Sequence, residues 1–236
     1  MNSRINHHPS TEQLKLFNEG LLSTGLSVAV SAHMDFCVEC HETSNHMKSE
    51  LADDWIKTID AKKSMDADQF SHLIDEITSQ DQSVPVDQID GLLDEKIELH
   101  MHERSVKLPR VLSKAAGKGV VWKTLPGGIN TANLGMDRET QCDFMYMKPG
   151  SQAPRHKHHG LEVTLVLDGT FCDELGEYYP GDFVLRRGSE THTPQSEEGC
   201  LCYSVLDSPL IFTSGFSRLL NPFQKYVFNK KAHQRV

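Results

Sequence analysis

Apolar residues change their period along this chain. In the first hundred residues they recur every three or four positions, the spacing of one helix face; beyond Pro109 they alternate in short runs, the spacing of strands. Ser10 or Thr11 is placed to cap a first helix, with Gln13 reaching back three residues beyond Ser10. That helix carries Leu14, Leu16, Phe17 and Leu21 and breaks near Gly20 or Gly25. A second helix is predicted from about Ser27 through Cys40, with helical character resuming along Met47, Leu51, Trp55 and Ile56. Residues 57–85 are polar apart from a periodic piece at Phe70, Leu73, Ile74 and Ile77. After Pro85, the stretch Val86–Ile97 reads as an amphipathic helix with Ile89, Leu92, Leu93 and Ile97 on one face, suited to docking on a partner or on its own domain.

In the second half, strands are expected at 120–124, 142–147, 162–167, 182–185 and 201–206. Turn signals stand between them at Pro149-Gly150, Asp168-Gly169, Pro180-Gly181 and Arg187-Gly188. Many short strands with such punctuation predict a barrel or a double-sheet jelly roll. The expectation is therefore a two-domain chain: an all-α domain over 1–98, a linker over 99–108 and an all-β jelly-roll domain over 109–236.

Composition adds an asymmetry. Residues 1–104 carry 8 Lys and Arg against 20 Asp and Glu, and the remaining residues 16 against 13. An acidic first half repels phosphate backbones and suits a basic protein partner, so direct nucleic-acid binding is not expected. No run of eighteen apolar residues offers a membrane span, and the N-terminus lacks the apolar core of a secretory signal. The six cysteines are clustered unevenly, unlike a disulfide framework, which points to a reducing, cytoplasmic setting.

Two patterns carry chemistry. His33, Cys37 and Cys40 stand at i, i+4 and i+7. On a helix these fall at about 0°, 40° and −20°, a narrow stripe aiming one imidazole and two thiols at one point. Zinc takes four such ligands tetrahedrally. In the second half, His156 and His158 share a face if the segment is extended, Glu162 has the same parity, and His192 follows thirty residues on. Three imidazoles and a carboxylate accept zinc, iron, manganese, nickel or copper. Cys200 and Cys202 share a strand face as a redox pair or as small core residues, with Cys172 a third candidate neighbour.

The residues Gly150, His156, His158, Glu162 and Gly169 resemble the first cupin motif, glycine-x5-His-x-His-x3/4-Glu-x6-glycine, without a mismatch. Pro180-Gly181-Asp182 and His192 match the second motif more loosely: Arg187 stands where a proline is usual. The spacing His33-x3-Cys37-x2-Cys40 is similar to that of zinc-binding anti-sigma factors, whose fourth ligand is a histidine just before the first helix. His8 is placed to supply it, with His7 second. A zinc-binding helical domain followed by a cupin resembles the ChrR family along essentially the whole chain. That resemblance implies a non-enzymatic regulator whose helical domain sequesters an extracytoplasmic-function sigma factor. It also implies a cupin domain that triggers release on singlet oxygen or organic peroxide. Its expected metals are zinc in the helical site and zinc or another divalent transition metal in the cupin. The alternative is a dioxygenase-like metal-dependent cupin enzyme with a helical appendage.

Overall fold

A computed structural model describes residues 5–60, 68–80, 98–101, 104–117, 119–125, 127–136, 139–188, 190–215, 218–219, 221–222 and 228. The helix expected over Val86–Ile97 lies outside them.

The helical half begins with α1 (Thr11–Asn18). Its start is the predicted capping box: Ser10 Oγ accepts from the Gln13 amide at 3.2 Å, and Gln13 Oε1 accepts from the Ser10 amide at 2.9 Å. The helix stops at Asn18, before Leu21, because the chain then turns through Gly20 at φ 71°, a conformation open to glycine. Helix α2 (Thr24–Met34) starts three residues earlier than expected, as Ser23 caps it and Gly25 is tolerated in its first turn. Helix α3 (Val38–Asp60) follows after a break at Asp35–Cys37, and α4 (Asp68–Ser79) forms on the periodic piece around Leu73.

The break corrects the expectation of one continuous helix from Ser27 to Cys40. The Cys37 thiol accepts from the Cys40 amide at 3.4 Å, taking the part of a capping side chain for α3. Asp35 in the turn accepts from the Arg110 amide at 3.0 Å and is thereby held to the second half. A local side-chain acceptor and a long-range tether together outweigh the helical periodicity.

A hairpin of β1 (Glu98–Met101) and β2 (Arg104–Lys107) comes next, within the stretch read as a linker, and buries Leu99, Met101 and Val106. A short helix α5 (Arg110–Ala116) leads into the β half. There, β3 (Trp122–Leu125), β4 (Ile129–Asn133), β5 (Gln141–Met147), β8 (Leu161–Gly169), β11 (Phe183–Arg187) and β14 (Cys200–Leu206) build an antiparallel sheet in the order β11-β8-β14-β5-β4-β3. A second sheet orders β10 (Gly176–Tyr178), β9 (Phe171–Asp173), β13 (Gln195–Ser196) and β6 (Ser151–Gln152). A third orders β12 (Thr191–His192), β7 (His156–Lys157) and β15 (Ile211–Phe212). The expected all-α domain followed by a jelly roll is what forms.

The centre of the six-stranded sheet is buried on both faces: β14 is buried along its whole length and β8 from Glu162 to Leu167, whereas the edge strand β3 is largely exposed. One face, with Val166, Val184, Cys200 and Cys202, closes the barrel interior with Met147, Phe171 and Tyr178. The other, with Val163, Leu165, Tyr203 and Val205, shares a core with Ala29 and Val30 of α2 and with the hairpin. The two halves therefore share one apolar core. At its centre Gly25 lies against the sheet and its carbonyl accepts from the Tyr203 hydroxyl at 3.2 Å. Among the described residues, no helix is long and apolar enough to cross a membrane.

Candidate metal centres

Two groups of side chains converge. In the helical half, one ligand atom each from His8, His33, Cys37 and Cys40 lies within 4.8 Å of the others. His33 comes from the last turn of α2, Cys37 from the break and Cys40 from the first turn of α3. His8 arrives on the extended segment before α1, its Nδ1 3.4 Å from Cys37 Sγ and 3.5 Å from Cys40 Sγ. His7 faces elsewhere, its ring 5.0 Å from that of Tyr178.

The chemistry of this group fits a metal. His33 is fully buried; its Nδ1 donates to the Gly181 carbonyl at 2.7 Å, leaving Nε2 buried and without a partner. A histidine fixed through one nitrogen by a carbonyl, with the other aimed into a cluster of donors, is the usual geometry of a metal ligand and its outer shell. Burial holds His33 neutral, with its pKa lowered to about 4. Burial and the neighbouring Cys37 push the Cys40 thiol up to about 12. Two buried thiols and two imidazoles gain little from one another by hydrogen bonding alone. A soft divalent ion that deprotonates the thiols would satisfy all four.

The second group lies in the barrel. His156, His158, Glu162 and His192 each offer an atom within 4.8 Å of the others, and all four are buried. Pairing of β7 with β12 sets His156 directly opposite His192. Glu162 stands in β8 opposite Arg186 of β11. His158 Nε2 lies 3.2 Å from His192 Nε2 and 2.8 Å from Glu162 Oε2. His156 Nδ1 donates to the Pro154 carbonyl at 2.8 Å, and His192 Nδ1 to Asp173 Oδ2 at 3.0 Å. Both rings thus turn Nε2 inward. Burial, reinforced by His192, lowers the His156 pKa to about 4, which keeps it a neutral ligand. Burial alone would raise the Glu162 carboxyl, but the His158 hydrogen bond and the surrounding imidazoles bring it below its usual value. Facing imidazole nitrogens and an ionised carboxylate in a dry interior suit a divalent cation.

The support of this second group was not legible beforehand. Asp173 accepts from His192 Nδ1, from the Arg186 guanidinium and, at 3.3 Å, from the Tyr178 hydroxyl. Arg186 also donates to the Tyr178 oxygen at 2.9 Å. A lone aspartate in a three-residue strand carries no pattern; only the barrel brings it beside His192. Cys200 and Cys202 point into the same interior with their sulfurs 3.9 Å apart. The Cys200 hydrogen bond and burial raise the Cys202 thiol well above its ordinary pKa. A protonated thiol is a poor nucleophile, which favours the reading of these two as small core residues. Cys172 instead accepts from Gln195 Nε2 at 3.5 Å.

Comparison with known proteins agrees with this architecture. Residues 115–208 match the family profile of the ChrR cupin-like domain. The chain is 29% identical over 225 residues to the anti-sigma-E factor ChrR of Cereibacter sphaeroides, covering 93% of this chain and 98% of that protein. The crystal structure of Rhodobacter sphaeroides SigE in complex with the anti-sigma ChrR superposes with a TM-score of 0.61 at 25% identity, covering 86% of this chain and 99% of the matched one. The resemblance to ChrR-type anti-sigma factors therefore holds through both halves and in their order.

Proposed function

We propose that this chain is a zinc-dependent anti-sigma factor: its helical half sequesters an extracytoplasmic-function sigma factor in the cytoplasm, and its cupin domain governs release under oxidative stress. On this reading it is a regulator, not an enzyme. The observation that carries the proposal is similarity to a named anti-sigma factor over nearly the full length of both chains. An exposed apolar surface supports it. Among the described residues, Leu51, Trp55 and Ile56 of α3 and Leu73 and Ile74 of α4 are exposed. Apolar side chains at helical spacing on an acidic frame are built to cover a partner rather than to face water. The acidic excess of this half complements a basic, promoter-binding protein.

His8, His33, Cys37 and Cys40 are the proposed zinc ligands, and the metal would supply a structural clamp joining α2, α3 and the N-terminal segment. His156, His158, Glu162 and His192 are the proposed ligands of a divalent transition metal in the barrel. These four side chains hold their donor atoms together in a water-poor interior, and oxidant-driven change is assigned to this region.

Co-expression of the full chain with the extracytoplasmic-function sigma factor encoded beside it tests the proposal. A stable complex and loss of sigma-directed transcription are expected, with transcription restored by singlet oxygen or an organic hydroperoxide. A zinc-loaded chain that neither binds nor inhibits the sigma factor would overturn the anti-sigma reading. Binding that ignores oxidants when His156 and His192 are intact would overturn the sensing part alone.

A further inference from the structure

The helical metal cluster is completed by the barrel. The Gly181 carbonyl, in the turn between β10 and β11, receives the His33 Nδ1 proton at 2.7 Å. The next residue, Asp182, is fully buried and grips the segment that delivers His8. Its Oδ1 accepts from the amides of Asn6 at 2.8 Å and His7 at 3.0 Å, while Oδ2 accepts from Tyr179 in its own turn at 2.8 Å. The Phe183 amide donates back to the His7 carbonyl at 2.9 Å. Gly181 has φ 95°, and a Cβ there would come within 2.7 Å of Ile5 and 3.0 Å of Phe36, so the two halves meet with no room to spare. Two of the four clustered ligands, His33 and His8, are thus oriented from the other domain.

We infer that the barrel turn Gly181-Asp182 is the outer shell of the helical metal centre, with Asp182 a positioning residue that sets its metal affinity. The inference rests on reading His8, His33, Cys37 and Cys40 as a metal centre. A ligand on a tethered segment binds at the effective concentration its tether enforces; releasing Asn6 and His7 lets His8 leave, and freeing Gly181 lets the His33 ring rotate. Loss of such outer-shell contacts lowers metal affinity by about 10- to 100-fold. The same turn leads along β11 to Arg186, whose guanidinium holds Asp173 against His192. Rearrangement at the barrel centre therefore has a short physical route to the helical centre, through one strand and one turn.

The test uses the full chain loaded with cobalt(II), whose thiolate-to-metal charge-transfer band reports only the cysteine-containing centre, since the barrel group has no sulfur ligand. Cobalt affinity is compared among wild type, Asp182→Asn and Asn6→Pro. The last removes one amide donor to Asp182 while leaving the barrel untouched. Thermal unfolding of each variant confirms that it is folded. About 10-fold or greater weakening in Asn6→Pro, and in Asp182→Asn if it folds, is the expected result. Wild-type affinity in Asn6→Pro overturns the inference even if Asp182→Asn cannot be prepared. A wild-type chain with no thiolate band instead overturns the metal-centre reading on which it rests.

Discussion

Gly25 gives the sharpest test of how the two halves are joined. In a helix, replacing glycine by alanine normally stabilises by up to about 1 kcal/mol, because the backbone loses less freedom on folding. Here the added methyl would stand 2.5 Å from Thr140 Oγ1, 2.6 Å from Cys142 Sγ and 3.0 Å from Val205 Cγ1. All three neighbours are buried, Cys142 and Val205 in the sheet beneath α2 and Thr140 in the bend before β5, so none can swing into solvent. Relief requires lifting the helix, which stretches the 3.2 Å bond from the Tyr203 hydroxyl to the Gly25 carbonyl. Overpacking a core by one methyl costs roughly 1–3 kcal/mol, and a lost hydrogen bond about 1 kcal/mol more. The packing cost exceeds the propensity gain, so Gly25→Ala should destabilise by roughly 1–3 kcal/mol. For a chain of this size that lowers the melting temperature by roughly 2–10 °C. Thermal unfolding of the metal-loaded full chain, with exposed Thr24→Ala as a control on the same helix, measures it. A Gly25→Ala chain that melts at or above wild type would show that α2 does not sit tightly on the sheet.

Trp55→Ala or Ile74→Ala should weaken sigma-factor binding by about 10-fold or more by calorimetry while changing stability by under about 0.5 kcal/mol, since neither packs on the core. Arg186→Met leaves the buried Asp173 carboxylate without its guanidinium and should cost about 3–5 kcal/mol in denaturant unfolding. Burial opposes ionisation of Asp173, yet its bonds from His192, the Leu175 amide and Arg186 hold its pKa below the ordinary value. A depressed folded pKa stabilises above the unfolded pKa. The contribution is lost as pH falls through the folded one, so the stability gap between wild type and Asp173→Asn should narrow on acidification; a gap independent of pH contradicts this. Stripping metal with a chelator should lower the melting temperature and zinc addition should restore it, because His33 Nε2, aimed at the Cys37 and Cys40 cluster, is buried without a partner in the protein alone.

Much of the candidate chemistry was readable in one dimension because ligand sets are short-range patterns. His33, Cys37 and Cys40 lie within eight residues, and His156, His158 and Glu162 within seven. Their convergence needs only a turn or a strand pair. The helical stripe led to the right neighbours through a wrong intermediate, since a break with thiol capping replaces the continuous helix and still brings the three together. Five of the six strands of the main sheet were legible from alternation and turn residues, whereas two-residue strands such as Thr191–His192 exist only through their partners. Asp173, Tyr178 and Arg186 left no trace, because a single polar residue has no period.

Periodicity, turn chemistry and ligand spacing, all local properties, determined the two fold types, their order and the candidate ligands other than His8, which the resemblance to zinc-binding anti-sigma factors implied. Tertiary structure alone decided that α2 would share a core with the barrel, that Gly25 would be the point of closest approach, and that Gly181 and Asp182 would reach the other domain's histidines. Contacts between residues nearly 180 apart leave no spacing to read. They arise from shape and from the need to pair every buried amide and carboxylate, conditions met only when both halves are folded against each other.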